Sequence, residues 1–192
     1  MILGITGGSG CGKTTLLKCI GEQGGVVLDC DAIYHRLLCE PGLPERIGAA
    51  FPGAMEQGEL DRRKLADLVF HDPEALETLN RLTHGAVREA VLQRLAEKPP
   101  LAAIDAIALF ESGLAELCDV TVAVTAPVEV RVRRLMARDG ISRERALARI
   151  RAQHEDEWFR SRCTHVLENT GSLDGFQAKC VAFLKKIGIM RP

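Results

Sequence analysis

Ile2-Leu3-Gly4-Ile5-Thr6-Gly7-Gly8-Ser9-Gly10-Cys11-Gly12-Lys13-Thr14 decides the fold. A short apolar run, Ile2 to Thr6, breaks into glycines, which predicts a buried strand ending in a tight loop. Thr14, Leu16, Leu17 and Ile20 then follow at helical spacing. Gly7-x-x-x-x-Gly12-Lys13-Thr14 therefore lies between a strand and a helix, the context that a phosphate-binding loop requires. Gly8, Gly10, Cys11 and Gly12 are expected to turn backbone N–H groups toward phosphate oxygens, aided by the positive end of the helix. Lys13 supplies a mobile cation, Thr14 a hydroxyl for Mg²⁺, and Thr15 a further contact in the first helical turn.

Outward from the loop, Val26-Val27-Leu28-Asp29, Leu101-Ala102-Ala103-Ile104-Asp105, Val120 to Val124 and His165-Val166-Leu167 read as further strands. Helices are expected at 32–38, across 60–98 with a possible break at Gly85, at 128–137, at 142–153, and after a Ser172 cap. Short apolar strands separated by helices predict an α/β, three-layer fold around a five-stranded parallel sheet. Ligands of such sheets sit beyond the carboxyl ends of the strands. The glycine loop, Asp29 with Asp31, and Asp105 all fall there. A GTPase switch is excluded, because Asn-Lys-x-Asp is absent and no Asp has Gly three positions later. A small-molecule kinase needs the loop, an acid near the acceptor hydroxyl, metal coordination and mobile arginines. Asp31 is the candidate acid, although it also suits the cap of the following helix. Asp105 is the candidate metal or metal-water ligand. Arg134 and Arg138, one helical turn apart before Asp139-Gly140, are the candidate arginines.

Composition narrows the class further. The chain has 192 residues, 46% apolar and 27% charged, with net charge −1, as expected of one soluble domain with no broad nucleic-acid surface. Only 4% of residues are aromatic, so base-stacking platforms are not expected. Seven cysteines, odd in number and without Cys-x-x-Cys, favour free thiols in a reducing cytoplasm. The first residues lack the basic region of a signal peptide, and no apolar run is long enough to span a bilayer. Cys11, beside Lys13 and loop amides, is a candidate for a lowered pKa and oxidation sensitivity; the simpler expectation is a small residue filling a serine-like position.

The ordered motifs resemble the dephospho-coenzyme A kinase family. They are the loop itself, Asp29-Cys30-Asp31, Glu40-Pro41-Gly42, Leu60-Asp61-Arg62 with Val69-Phe70, and Asp105 with Leu109-Phe110-Glu111-Ser112-Gly113. Arg134-Leu135-Met136-Ala137-Arg138-Asp139-Gly140, Gln153 and Glu168-Asn169-Thr170-Gly171 complete the series. The resemblance implies ATP-dependent phosphorylation of the ribose 3′-hydroxyl of dephospho-CoA, with Mg²⁺. It implies Asp31, Lys13 and Arg138 as catalytic residues, and Arg134, Arg138 and Asn169 as ATP contacts. Arg62, His84, Arg88, Phe110 and Glu111 would join Asp31 at the acceptor.

The same resemblance implies a single kinase domain, with a core at 1–59, 100–130 and 160–192. An acceptor lobe would occupy about 60–99 and a lid about 131–159. The partners expected are small molecules only, without nucleic acid or membrane, on a monomer or weak homo-oligomer. Ile107 and Gly85 stand where that family usually has proline, and their substitution is expected to loosen two backbone turns. Another small kinase acting on a nucleoside, nucleotide or shikimate-like alcohol, and a non-catalytic ATP switch, are the alternatives.

Overall fold

The computed structural model describes residues 1–190. Its main sheet has the order β2-β5-β1-β6-β7. The strands are β1 (Ile2–Thr6), β2 (Val26–Asp29), β5 (Ala102–Asp105), β6 (Val120–Thr125) and β7 (His165–Glu168). β1 pairs in parallel with β5 and β6, and β6 pairs in parallel with β7. The register sets Ile5 opposite Asp105 and Thr6 opposite Ala123, so β5 ends beside the start of the loop and β6 runs two residues past it. Leu3, Ile5, Ala103, Val122 and Val124 are buried in the sheet. They pack with Leu16 and Ile20 of α1 (Lys13–Glu22) and with Phe176, Cys180 and Leu184 of α9 (Leu173–Lys186). The expected fold class is thus observed: an α/β protein with a five-stranded parallel sheet.

The chain divides into two compact units, 1–28 with 99–192, and 29–98. In the first, α6 (Val128–Asp139) and α7 (Arg143–Arg151) form a hairpin around Val132, Leu135, Ala146 and Ile150. Gly140 closes α6 in the left-handed conformation, and the Ser142 hydroxyl caps α7. α8 (Asp156–Arg162) follows. The second unit begins with α2 (Cys30–Leu37) and α3 (Leu43–Ala50), then a hairpin of β3 (Met55–Glu56) and β4 (Glu59–Leu60). It continues with α4 (Arg62–Phe70) and α5 (Pro73–Leu95). Leu43, Ile47, Phe51, Leu65 and Ala86 form its core.

Three expectations are corrected here. α2 starts at Cys30, and its cap is Asp29, whose carboxylate accepts from the Ala32 N–H at 3.0 Å; Asp31 lies inside the first turn. Gly85 does not break α5, which runs unbroken for 23 residues. A glycine costs an exposed helix about 1 kcal/mol, and the buried stripe Thr83, Ala86, Val87, Ala90 and Val91 outweighs it. The His84-Gly85 pair therefore sits in regular helix, where no turn exists to be loosened.

Candidate functional site

The loop Gly7–Gly12 leaves β1 and enters α1 through Gly12, whose φ of 100° is left-handed and whose position allows the turn into Lys13. No side chain caps α1, so its first N–H groups remain directed out of the helix end. The Lys13 ammonium donates to the Gly7 carbonyl at 3.0 Å and stands 3.9 Å from Asp105 Oδ1. The cation and the strand-end acid thus share one end of the sheet. Thr14 is exposed at the start of α1.

Arg134 and Asn169 brace the loop from behind. One Arg134 nitrogen donates to the carbonyls of Gly10 and Cys11, both at 3.3 Å. Another donates to Asn169 Oδ1 at 3.0 Å, and Asn169 Nδ2 donates to the Cys11 carbonyl at 2.8 Å. These bonds occupy carbonyls, which would repel phosphate, and leave the N–H groups of Gly10, Gly12, Lys13 and Thr14 as the open donors of the loop. Arg138 is not drawn to the loop. It is 58% exposed and pairs with Asp139 at 2.6 Å, and Arg149 binds the same carboxylate at 3.0 Å. The hydrogen bonds from Arg138 hold the Asp139 carboxyl below its ordinary range, and Asp139 in turn pushes the Arg138 pKa up.

The expectation of an activated Cys11 is reversed. Its side chain is fully buried, and burial raises the thiol pKa more than Lys13 lowers it. A neutral thiol packed behind the loop fits the simpler expectation of a small space-filling residue.

Beyond β5, the Thr6 hydroxyl donates to the Ile107 carbonyl at 3.2 Å, tying down the turn that lacks the family's proline. Phe110 meets Trp158 edge-to-face with centroids 5.8 Å apart. Glu111 pairs with His154 Nε2 at 2.9 Å, and His154 stacks on Trp158 at 3.8 Å between centroids. Asp31, Arg62, His84 and Arg88 belong to the second unit. Asp31 and Arg62 are exposed in the first turns of α2 and α4, and His84 and Arg88 lie one turn apart on α5, both half-buried. That unit also holds a pocket of about 410 Å³ lined by Leu38, Pro41, Pro44, Met55, Leu60 and Arg62 among others.

Three residues behind the loop lie outside its motif. Arg131, only 2% exposed, donates to the Ser9 carbonyl at 2.9 Å and to Asp156 Oδ1 at 3.2 Å. Gln153, noticed only through the resemblance, binds Ser9 twice. Burial pushes the Asp156 carboxyl up, opposed by the neighbouring Arg131 charge.

The family model for dephospho-CoA kinase matches residues 1–175. The chain belongs to the dephospho-CoA kinase family. A family member from Thermus thermophilus is 43% identical over 188 residues, 97% of this chain and 92% of that one. A crystal structure of a Thermus thermophilus protein, also 43% identical, superposes with a TM-score of 0.82 over 97% of both chains. The dephospho-CoA kinase from Campylobacter jejuni is 27% identical, with a TM-score of 0.68 over 97% of this chain and 96% of that one.

Proposed function

We propose that this chain transfers the γ-phosphoryl group of ATP to the ribose 3′-hydroxyl of dephospho-CoA, giving coenzyme A. The observation that carries the reading is the match to the dephospho-CoA kinase family over residues 1–175. The loop geometry supports the ATP half independently. In the proposed reaction a bond forms between the 3′-oxygen and the γ-phosphorus while the bond from that phosphorus to the β,γ-bridging oxygen breaks. Asp31 accepts the hydroxyl proton. Lys13 and the amides of Gly10, Gly12, Lys13 and Thr14 neutralise charge on the transferring group, and little covalent help is required. Arg134 and Asn169 act by bracing the loop, and Arg138 exchanges Asp139 for phosphate when the lid, residues 131–159, closes.

Among the described residues no group of three or more His, Cys, Asp and Glu side chains could hold a metal ion. Mg²⁺ needs no such cluster, because it keeps several waters and takes its remaining ligands from phosphates and one or two protein oxygens. The Thr14 hydroxyl and, through water, Asp105 are the oxygens proposed. The ion, when bound, would offset charge on the β- and γ-phosphates.

Residues 60–99 are proposed as the acceptor lobe, with Arg62 and Arg88 for the pyrophosphate and His84, Phe110 and Glu111 as further contacts. The pocket beside Arg62 is also lined by Glu40, Glu45 and Glu59, so the proposed pyrophosphate contacts rest on the family resemblance and not on that pocket. The proposed setting is the cytoplasm, as a monomer or weak homo-oligomer. All seven cysteines are free thiols, and no helix among the described residues is long and apolar enough to cross a membrane.

Mass spectrometry of dephospho-CoA incubated with the protein, ATP and Mg²⁺ tests the reading, with nucleosides and shikimate as competing acceptors. One phosphoryl group added to dephospho-CoA alone is expected. Asp31→Asn should abolish that gain while retaining ATP binding, and Lys13→Ala should slow it roughly a hundredfold or more. Gain on another acceptor instead would overturn the acceptor assignment, and gain on none would overturn the kinase reading.

A further inference from the structure

Ser9, in the middle of the phosphate loop, is gripped at every polar atom by two side chains from the far half of the sequence. Its N–H donates to Gln153 Oε1 at 2.8 Å, and its hydroxyl accepts from Gln153 Nε2 at 2.7 Å. Its carbonyl accepts from Arg131 Nε at 2.9 Å. The other two guanidinium nitrogens of Arg131 go to Asp156 Oδ1 at 3.2 Å and Gln153 Oε1 at 3.3 Å. With 2% exposure, Arg131 is buried away from any phosphate and has no nitrogen left uncommitted. A Cβ on Gly8 would collide with the same guanidinium, so the loop backbone rests directly on it.

Two consequences follow from this geometry. The Ser9 amide is already spent, the Cys11 N–H donates to the Gly8 carbonyl at 3.3 Å and the Thr15 N–H to the Gly12 carbonyl at 3.1 Å, so the donors left for a triphosphate are those of Gly10, Gly12, Lys13 and Thr14. Arg131 also lies in the first turn of α6 and Gln153 two residues beyond α7, so both feet of that hairpin are fastened to one loop residue. A glycine-rich loop left loose would have to order itself as nucleotide bound, at the expense of affinity.

We propose that Arg131 and Gln153 are positioning residues. They hold Ser9 so that the amides of Gly10, Gly12, Lys13 and Thr14 are set for the triphosphate before it arrives, and they form the fixed base on which the α6–α7 hairpin stands. The proposal rests on the ATP half of the function above and needs no particular acceptor.

Calorimetric titration with ATP and with ADP, without acceptor, tests it beside thermal unfolding of each protein. Gln153→Ala, which loses the bonds to the Ser9 N–H and hydroxyl and keeps only that from Arg131 to its carbonyl, should weaken ATP about tenfold. Gln153→Glu keeps the acceptor for the Ser9 N–H but loses the donor to the hydroxyl, and should lose less. Ser9→Ala, which removes only the hydroxyl, should show no added loss in the Gln153→Glu background. Arg131→Lys should raise the KM for ATP and leave the KM for the acceptor unchanged. Should Gln153→Ala fail to fold, Ser9→Ala and Gln153→Glu carry the test. Unchanged nucleotide affinity alongside a lowered unfolding midpoint would overturn the proposal and leave the clamp a structural tie. Wild-type protein that binds no ATP would overturn it as well. Wild type that binds ATP but phosphorylates no dephospho-CoA would sink the acceptor assignment and leave this inference standing.

Discussion

At the scale of the residue, chemistry is decided by what each side chain is denied as much as by what it touches. Cys11 sits beside a lysine, yet full burial keeps its thiol protonated, and only the thiolate reacts. Cys39 is exposed. Brief alkylation of the folded protein followed by peptide mass spectrometry should therefore label Cys39 and spare Cys11. Comparable labelling at Cys11 would contradict the packing described. The loop motif was legible because its spacing is local. Arg131 was not, because its burial is created by Ser9, 122 residues away in sequence, and by Gln153 and Asp156 downstream. Nothing in the spacing around Arg131 distinguishes it from the solvated arginines of the same helix. Asp31 and Asp29 show a finer limit: both residue types suit a helix cap, and only the backbone at Asp29, extended at φ −77° and ψ 106°, decides between them.

At the scale of the element, the strands of the main sheet were readable as short apolar runs, since both faces of a parallel sheet are covered. The elements that escaped are those without a periodic apolar face. β3 and β4 have two residues each, too few for alternation, and α8 buries only Phe159. α3 did carry a start signal, Gly42 before Leu43-Pro44-Glu45, where the Glu45 carboxylate accepts from the Gly42 N–H. α5 shows what a strong signal is worth. Asp72 accepts from the N–H groups of Glu74 and Ala75 at 2.9 and 3.1 Å, and Pro73 opens the helix. Asp72→Ala should cost about 1 kcal/mol of stability in urea denaturation, and Asp72→Asn, which caps equally well, should cost little. Equal losses in both variants would mean that charge, rather than the cap, holds that helix end.

At the scale of the whole molecule, function depends on which parts stay fixed. The α6–α7 hairpin is fastened at its base to the loop through Arg131 and Gln153, whereas its outer polar contacts, Arg138 and Arg149 with Asp139 and Arg143 with Glu129, are exposed ion pairs within the hairpin itself. Hydrogen exchange should accordingly be slow near Arg131 with or without nucleotide. Near residues 138–145 it should be fast in the free protein and slowed by ATP. Exchange that is uniform along the hairpin, and indifferent to ATP, would exclude a hinged lid.

The path of the chain through the sheet has one more consequence. It leaves the first unit after Leu28 and returns at Pro99, and the two strands at those points, β2 and β5, are sheet neighbours, with the Val26 N–H bonded to the Leu101 carbonyl at 3.0 Å. The whole of 29–98 is thus inserted between two ends that the sheet already holds together. Lengthening such an insert costs little closure entropy, about 0.6 kcal/mol per doubling. The unit that carries the phosphate loop can therefore host a foreign module in place of 29–98 as a cassette, which evolution, or an engineer, can exchange at two adjacent splice points without disturbing that loop.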